Sequence, residues 1–308
     1  MSSFEKIVLV RRKTRLEQLV ERFNSRAQAR FYIEHAGGDF ADYEREDDRY
    51  RRALDTTRTA IDFGLRVHLI ERGIVPTFLF APTDLVVAVG QDGLVANVAK
   101  YAGAQPIIAI NPDPERYDGV LLPFEPRAAR GAVARVLQAR AKIRQITLAE
   151  ATLADGQRLV GFNDLFIGAK SHVSASYAIK TADREELQSS SGVLVSTGAG
   201  STGWLSSVFN MAAGIAAFTG GTTGKPPSIA WEDPRLVYIV REPYASRASQ
   251  AHIVAGTIAP GTTLTIESRM PQGGVIFSDG VERDALDFNA GALAKIGAAA
   301  HRTQLVVG

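Results

Sequence analysis

The loop Gly90-Gln91-Asp92-Gly93 is the first place in this chain where residue types and spacing suggest chemistry. It lies between the apolar run Leu85–Val89 and a segment of helical pattern. Free backbone N–H groups at a helix start suit phosphate. A carboxylate repels phosphate, so Asp92 makes chemical sense as a proton acceptor for an attacking hydroxyl or as a residue that positions a metal ion. A plain turn, with glycine supplying positive φ and Asp92 capping the next helix, fits the tetrapeptide equally well. A second glycine-rich segment runs from Ser196 to Gly203. Residues 198–203 spell G-x-G-x-x-G, but no parallel strand–helix–strand pattern surrounds them and the acidic pair Glu232-Asp233 lies too far downstream, which disfavours a dinucleotide-binding dehydrogenase. The same stretch nearly spells a nucleophile elbow, with Ala199 in place of the first glycine. Ser201, Asp279 and His301 can be drafted into a triad, but such a trio can be picked from almost any chain. The third segment, Gly220 to Lys225, is one residue short of a P-loop and is followed by Pro226, so it reads as a surface loop.

These loops need elements to position them. Lys6–Val10, Leu65–Ile70, Leu85–Val89 and Pro106–Ile110 read as strands. Between them lie helical patterns. One opens on the capping box Thr14–Glu17 and continues through Leu16, Leu19, Val20, Phe23, Ala27 and Phe31. Others cover Asp42–Phe63, the stretch after Gly93 to about Tyr101, and Arg127–Ala141. Strands alternating with helices predict a parallel, doubly wound α/β sheet. After residue 142 the pattern changes to short strands with turns: Ile143–Leu148, Leu159–Gly168, Ala175–Lys180, Val193–Ser196, Leu236–Arg241, Thr262–Glu267, Gly274–Phe277 and Leu293–Ile296. One apolar helix, Trp204–Phe218, interrupts them. The expected organisation is an α/β nucleotide-binding domain over residues 1–141 and a mostly antiparallel, β-rich substrate-binding domain over 142–308, with the last strand free to return to the first domain.

Composition narrows the class. The chain has 308 residues, 45% of them hydrophobic and 22% charged, with a formal net charge of +2. That balance asks for neither nucleic acid nor an anionic membrane. With no cysteine there is neither a disulfide nor a thiolate metal site, and the five histidines are too dispersed to form a local ligand pair. No stretch approaches the length of an apolar membrane span, and MSSFEKIVLV lacks the pattern of a secretory signal, so a cytoplasmic protein is expected. Arg11-Arg12-Lys13 reads as a solvated basic run, although its place after the first strand also makes Lys13 and Arg15 candidates for phosphate.

Taken in order, these segments resemble the NAD kinase family. Its strand–GGDG–helix loop is matched by Gly90-Gln91-Asp92-Gly93, its Asn-Glu pair by Asn163-Asp164, its STPTGST-like turn by Ser196–Thr202, and its C-terminal Asp-Gly by Asp279-Gly280. The mitochondrial type is more similar still: Asn111-Pro112-Asp113-Pro114-Glu115-Arg116 followed by Gly119 is similar to its NTDPERSEG segment, and Gly161–Gly168 to its LNEVFIG strand. The resemblance implies an α/β domain followed by a β-rich domain, with the site between them. It implies transfer of the γ-phosphoryl of ATP, with Mg²⁺, to the 2′-hydroxyl of the adenosine ribose of NAD, in a homodimer without a bound metal centre of its own. Asp92 would be the general base. Asn163 and Asp164 would hold ribose hydroxyls, and Thr202 and Trp204 would border the adenine. Gly90 and Gly93 would let backbone approach phosphate, while Asn111 and Ser201 join the nucleotide-binding set. Gln91 stands where the family has its second Gly, Asp164 where it has Glu, and Leu94 where it has Thr. A related kinase with another hydroxyl acceptor and a non-catalytic nucleotide-binding protein are the alternatives.

Overall fold

Ile7–Val10, Leu85–Val89 and Ile107–Ile110 are buried at every position, as central strands of a parallel sheet covered on both faces must be. The computed structural model describes residues 4–308. In the first unit the elements are β1 (Lys6–Arg11), α1 (Arg15–Phe23), α2 (Arg26–His35), α3 (Phe40–Ala60), β2 (Arg66–Glu71), β3 (Asp84–Val89), α4 (Asp92–Tyr101), β4 (Pro106–Ile110), α5 (Ala129–Leu137) and β5 (Lys142–Ile146). Strands β2, β1, β3 and β4 are neighbours in that order, and all pair in parallel. Side chains of α3 and α5, among them Tyr50, Ala129, Ala132 and Val133, share one core with Ile7, Leu9, Val87 and Ile108.

The capping box forms as the sequence suggests: the Glu17 N–H donates to the Thr14 hydroxyl at 3.1 Å and the Thr14 N–H to the Glu17 carboxylate at 3.0 Å. The helix expected from there to Phe31 is broken in two. Asn24 takes the left-handed conformation (φ 61°) as the C-cap of α1, and the Ser25 side chain caps α2 by accepting from the Gln28 N–H. The dipeptide Asn-Ser supplies a stop and a start in adjacent positions, which outweighs an apolar spacing that continues across it.

The second unit, Gln145–Arg302, contains β6 (Ala149–Leu153), β7 (Arg158–Gly161), β8 (Asp164–Ala169), β9 (Ala175–Lys180), β10 (Glu185–Ser190), β11 (Val193–Ser196), α6 (Trp204–Phe218), β12 (Leu236–Val240), β13 (Ala255–Ile258), β14 (Leu264–Ser268), β15 (Gly274–Ser278), β16 (Val281–Asp287) and β17 (Leu293–Ala298). They form two six-stranded antiparallel sheets, in the orders β10-β9-β14-β17-β6-β7 and β13-β12-β11-β8-β15-β16. Alternate residues of both sheets, such as Tyr177, Ile179 and Ile266 from one and Leu165, Ile167 and Val195 from the other, make a single core. The last strand, β18 (Thr303–Val307), belongs to the first unit, where it lies between β4 and β5 and pairs with β4 in parallel.

Four strands, β6, β10, β13 and β16, are additional to those expected, and the run Leu159–Gly168 is two strands joined by a sharp turn at Phe162-Asn163. In β10 the inward positions are Glu186, Gln188 and Ser190, which hides the strand from an apolar count. The Glu186 carboxylate accepts from the His252 and Ile253 N–H groups, and Tyr177 donates to Gln188, so the buried polar groups are satisfied. Helix α6 has the expected bounds but not the burial its composition suggests: among its residues only Leu205 is buried, while Phe218 is 92% exposed.

Candidate functional site

In the first unit, β1 turns to β2 on one side and the chain passes to β3 and β4 on the other. The crevice at the carboxyl ends of β1 and β3 is therefore the topological switch point, where ligands of open α/β sheets bind. Gly90, Gln91 and Asp92 follow β3 at this point, Arg12 and Lys13 follow β1, and Asn111 follows β4. Tyr50, which the sequence offers only as part of a helix face, plugs the crevice: its hydroxyl accepts from the Arg12 N–H at 2.9 Å and donates to the Val89 carbonyl at 2.8 Å. Burial pushes this phenol up to about 12.

Gln91 is the N-cap of α4, and its side chain makes no capping bond. Asp92 is the first residue inside the helix rather than its cap, and its Oδ1 accepts from the Leu121 N–H at 2.6 Å. The first backbone donors of α4 have no intrahelical acceptor. The two loop glycines differ. A Cβ on Gly90 would stand 2.7 Å from Leu94 Cδ2, so the leucine occupies the space a side chain at 90 would need. A Cβ on Gly93 would meet nothing within 4 Å.

The other candidates of this unit are engaged within the protein. The Asn111 amide accepts from the Asp113 N–H and donates to the Tyr117 carbonyl, which shapes the 111–119 segment. Gly119 (φ +65°) completes it, because a Cβ there would lie 2.5 Å from Asn111 Nδ2. Ion pairs then tie the segment to α3: Asp113 and Glu115 to Arg49, and Arg116 to Asp42. Hydrogen bonds from Arg116 and Arg15 hold the Asp42 carboxyl well below the usual carboxylate range. Lys13 pairs with Glu21 and Glu71, and Arg15 with Asp42 and Glu46. Each of these two cations already faces two carboxylates, so a phosphate would have to displace one.

In the second unit, three distant segments meet at the start of β8. Asn163 and Asp164 follow the turn out of β7. The glycine-rich turn after β11 packs on them: the Thr197 N–H donates to the Asn163 carbonyl at 2.9 Å, and the Thr197 hydroxyl donates to the Phe162 carbonyl at 2.6 Å. Gly200 is required here, since a Cβ would stand 2.1 Å from the Asn163 carbonyl oxygen. Gly198 is required against Ala230. These glycines admit the protein's own backbone. β11 is antiparallel to both β8 and β12, so the G-x-G-x-x-G string has no βαβ unit around it. Asp279, at positive φ of 53°, reaches the same turn and accepts from the N–H groups of Phe162, Asn163 and Asp164. The Ser201 hydroxyl donates to the Gly198 carbonyl. With Asp279 and Ser201 so engaged, the Ser-His-Asp assembly does not form.

The inward residues of β8 are Leu165 and Ile167, so Asp164 lies on the opposite face with Phe166 and beside its register partner Ser196. It is 7% exposed; its backbone pairs with Asp279, while its carboxyl has no hydrogen-bond partner among the described residues. Burial first, and then the nearby Asp279 charge, raise its carboxyl to about 7. Thr202 is exposed at the end of the glycine turn. Trp204 stacks on Phe166 and Phe277, at centroid distances of 5.7 and 6.4 Å, and Arg241 lies 5.3 Å from its ring. Among the described residues no group of three His, Asp or Glu side chains could hold a metal ion, and no helix is long and apolar enough to cross a membrane.

No protein-family model and no curated protein sequence matches the chain. Among solved structures the fold is that of the NAD kinases, an α/β unit with a parallel sheet plus antiparallel β-rich sheets. Yeast NADH kinase in complex with NADH matches with a TM-score of 0.60 at 16% identity, over 98% of this chain and 83% of that one. An NAD kinase from Archaeoglobus fulgidus in complex with ATP matches with a TM-score of 0.54 at 14% identity, over 98% and 93%.

Proposed function

We propose that the chain is a kinase that transfers the γ-phosphoryl of ATP to the 2′-hydroxyl of the adenosine ribose of NAD, giving NADP. The observation that carries this reading is Asp164: a buried carboxyl without a hydrogen-bond partner among the described residues, next to Asn163 on a turn fixed by two other segments. A carboxyl in that state is a ready acceptor for donor hydroxyls, and a ribose offers two adjacent ones. The ordered motifs and the likeness to solved NAD(H) kinases support the nucleotide as the donor of those hydroxyls. The Asn111–Arg116 segment supports the mitochondrial type of the family.

In the reaction, the 2′-oxygen forms a bond to the γ-phosphorus, the bond from that phosphorus to the ADP oxygen breaks, and the hydroxyl proton passes to Asp92. Phosphoryl transfer needs little covalent help beyond positioning and charge neutralisation. Mg²⁺ enters with ATP as part of the substrate. It usually keeps several waters and phosphate oxygens and needs only one or two protein carboxylates, so a site without a three-residue cluster is compatible with it. The free N–H groups at the start of α4, with open space at Gly93, suit a phosphate.

The test is incubation with ATP, Mg²⁺ and either NAD or NADH, with product read by an NADP-specific dehydrogenase. NADP or NADPH formed at ordinary enzymatic rates is expected. Tight nucleotide binding without product would refute the kinase and leave a binding protein.

A homodimer belongs to the same proposal. α6 has no charged residue over 15 positions and exposes Met211 (44%), Ile215 (57%) and Phe218 (92%). Contiguous apolar surface of this kind is uncommon on monomers. The helix lacks the basic face of a membrane-surface helix, so a second copy suits it better. Phe218→Asp is expected to turn a dimer into a monomer in sedimentation, and a monomeric wild type would refute the dimer.

A further inference from the structure

Asp279 opens the two-residue hairpin turn between β15 and β16, a position that favours Asn, Asp or Gly. Its φ is 53°, and Gly280 after it is also at positive φ. A left-handed residue with a side chain costs roughly 1–2 kcal/mol, less for Asp and Asn. What the side chain does here is specific. Oδ2 accepts from the Phe162 N–H at 3.0 Å, and Oδ1 from the Asn163 N–H at 2.6 Å and the Asp164 N–H at 3.3 Å. The Asp279 N–H donates back to the Asp164 carbonyl at 3.1 Å. Three consecutive backbone donors thus converge on one carboxylate in a segment more than a hundred residues away in sequence. The turn they belong to is the one that presents the Asn163 and Asp164 side chains.

We propose that Asp279 is a positioning residue: its carboxylate fixes the Phe162–Asn163–Asp164 turn so that the Asn163 amide and the Asp164 carboxyl are presented together to a nucleotide ribose. The proposal rests on the kinase reading for the identity of the ligand. The anchoring itself rests on the three hydrogen bonds alone. The Thr197 hydroxyl, donating to the Phe162 carbonyl, holds the carbonyl side of the same turn, and Asp279 holds its N–H side. Neither group on Asp279 is spare: both oxygens are in use, so an amide in place of the carboxylate must turn an NH₂ towards a backbone N–H. Asn and Gly are at least as tolerant of the left-handed conformation as Asp. A mere turn residue would accept either, and an anchor would accept neither.

The experiment compares wild type, Asp279→Asn and Asp279→Gly in two measurements. The first is amide hydrogen exchange of the ligand-free protein at Phe162, Asn163 and Asp164. The second is the steady-state KM for NAD and for ATP. Loss of protection at the three amides is expected in both variants, with the NAD KM raised about tenfold or more, the size of one lost charge-assisted hydrogen bond, and the ATP KM within about twofold. Asp279→Gly relieves the turn, so it remains informative if Asp279→Asn folds poorly. Unchanged exchange at the three amides overturns the anchor, and unchanged NAD KM in an active enzyme overturns its role in positioning. A wild type that leaves NAD unphosphorylated and unbound fails the kinase reading first, which the exchange data keep separate from the anchor.

Discussion

Replacing Asp92 by Asn separates charge from shape at the start of α4. In the structure Asp92 Oδ1 accepts from the Leu121 N–H at 2.6 Å, and this bond ties the 119–122 turn to the helix. An asparagine oxygen can accept the same bond. A hydrogen bond to a charged group is worth about 1.5–3 kcal/mol and a neutral one about 0.5–1.5, so the tether should weaken by about 1 kcal/mol. That corresponds to a fall in Tm of about 2–4 °C. The cap is untouched, because Gln91 occupies that position and uses no side chain. Activity should respond on another scale. General-base catalysis contributes about 10²–10⁴-fold, which is about 3–5 kcal/mol of barrier. Asp92→Asn should therefore lose two orders of magnitude or more in kcat while melting within a few degrees of wild type and binding NAD. Asp92→Ala, which also removes the tether, should melt lower still. The assay is NADP formation beside a thermal melt of the same preparations. An Asp92→Asn protein with more than about a third of wild-type kcat, far outside the general-base range, would refute Asp92 as the base and leave it as the holder of Leu121.

Three further predictions follow from the geometry. Asp164 has a folded value of about 7 against about 3.9 unfolded, so the stability its carboxyl contributes is present below about pH 4 and lost as pH rises through 7. Asp164→Asn should remove that slope from the wild-type Tm profile, and superimposable profiles would refute the burial argument. Because ribose hydroxyls donate, the wild-type NAD KM should fall as pH rises through 7. Gly93→Ala should be at least as stable as wild type, having no atom to meet, yet raise the KM for ATP if phosphate approaches there; Gly200→Ala should unfold the turn, with a Cβ 2.1 Å from the Asn163 carbonyl. A Gly93→Ala enzyme with wild-type ATP kinetics would remove phosphate from that helix start. Trp204→Ala should lower stability by about 2–3 kcal/mol through the lost stack on Phe166, and raise the NAD KM more than it lowers kcat. A drop in Tm with unchanged KM would make the ring packing alone.

The parallel sheet was legible because its central strands carry unbroken apolar runs and its first helix opens on a capping box; β4 and α6 have the bounds their patterns predict. The second unit was harder to read strand by strand. β10 buries Glu186, Gln188 and Ser190, and only a tertiary partner such as the Ile253 N–H makes that burial tolerable. The splitting of Leu159–Gly168 into two strands uses Gly161, where a Cβ would stand 2.6 Å from the Asp164 carbonyl oxygen, and the carboxylate of Asp279, whose distance in sequence leaves no local trace. The same limit applies at the site. Tyr50 looks like a core residue on a helix until its hydroxyl is seen between the ends of β1 and β3. Lys13 and Arg15 look available until their acidic partners fold against them.

The place of β18 has a consequence for how the chain is made. β4, apolar throughout, lies beside a strand that begins at Thr303, after the whole second unit. During synthesis, at about 5–20 residues per second, roughly ten seconds or more separate the appearance of β4 from that of its partner. Throughout that interval the nascent first unit presents an open edge of unpaired N–H and C=O groups, the surface on which strands of other chains add most readily. The time spent with that edge uncovered grows with the length of everything between β5 and β18. Slowing elongation within residues 145–302 should therefore lower the yield of soluble protein more than slowing it before β4.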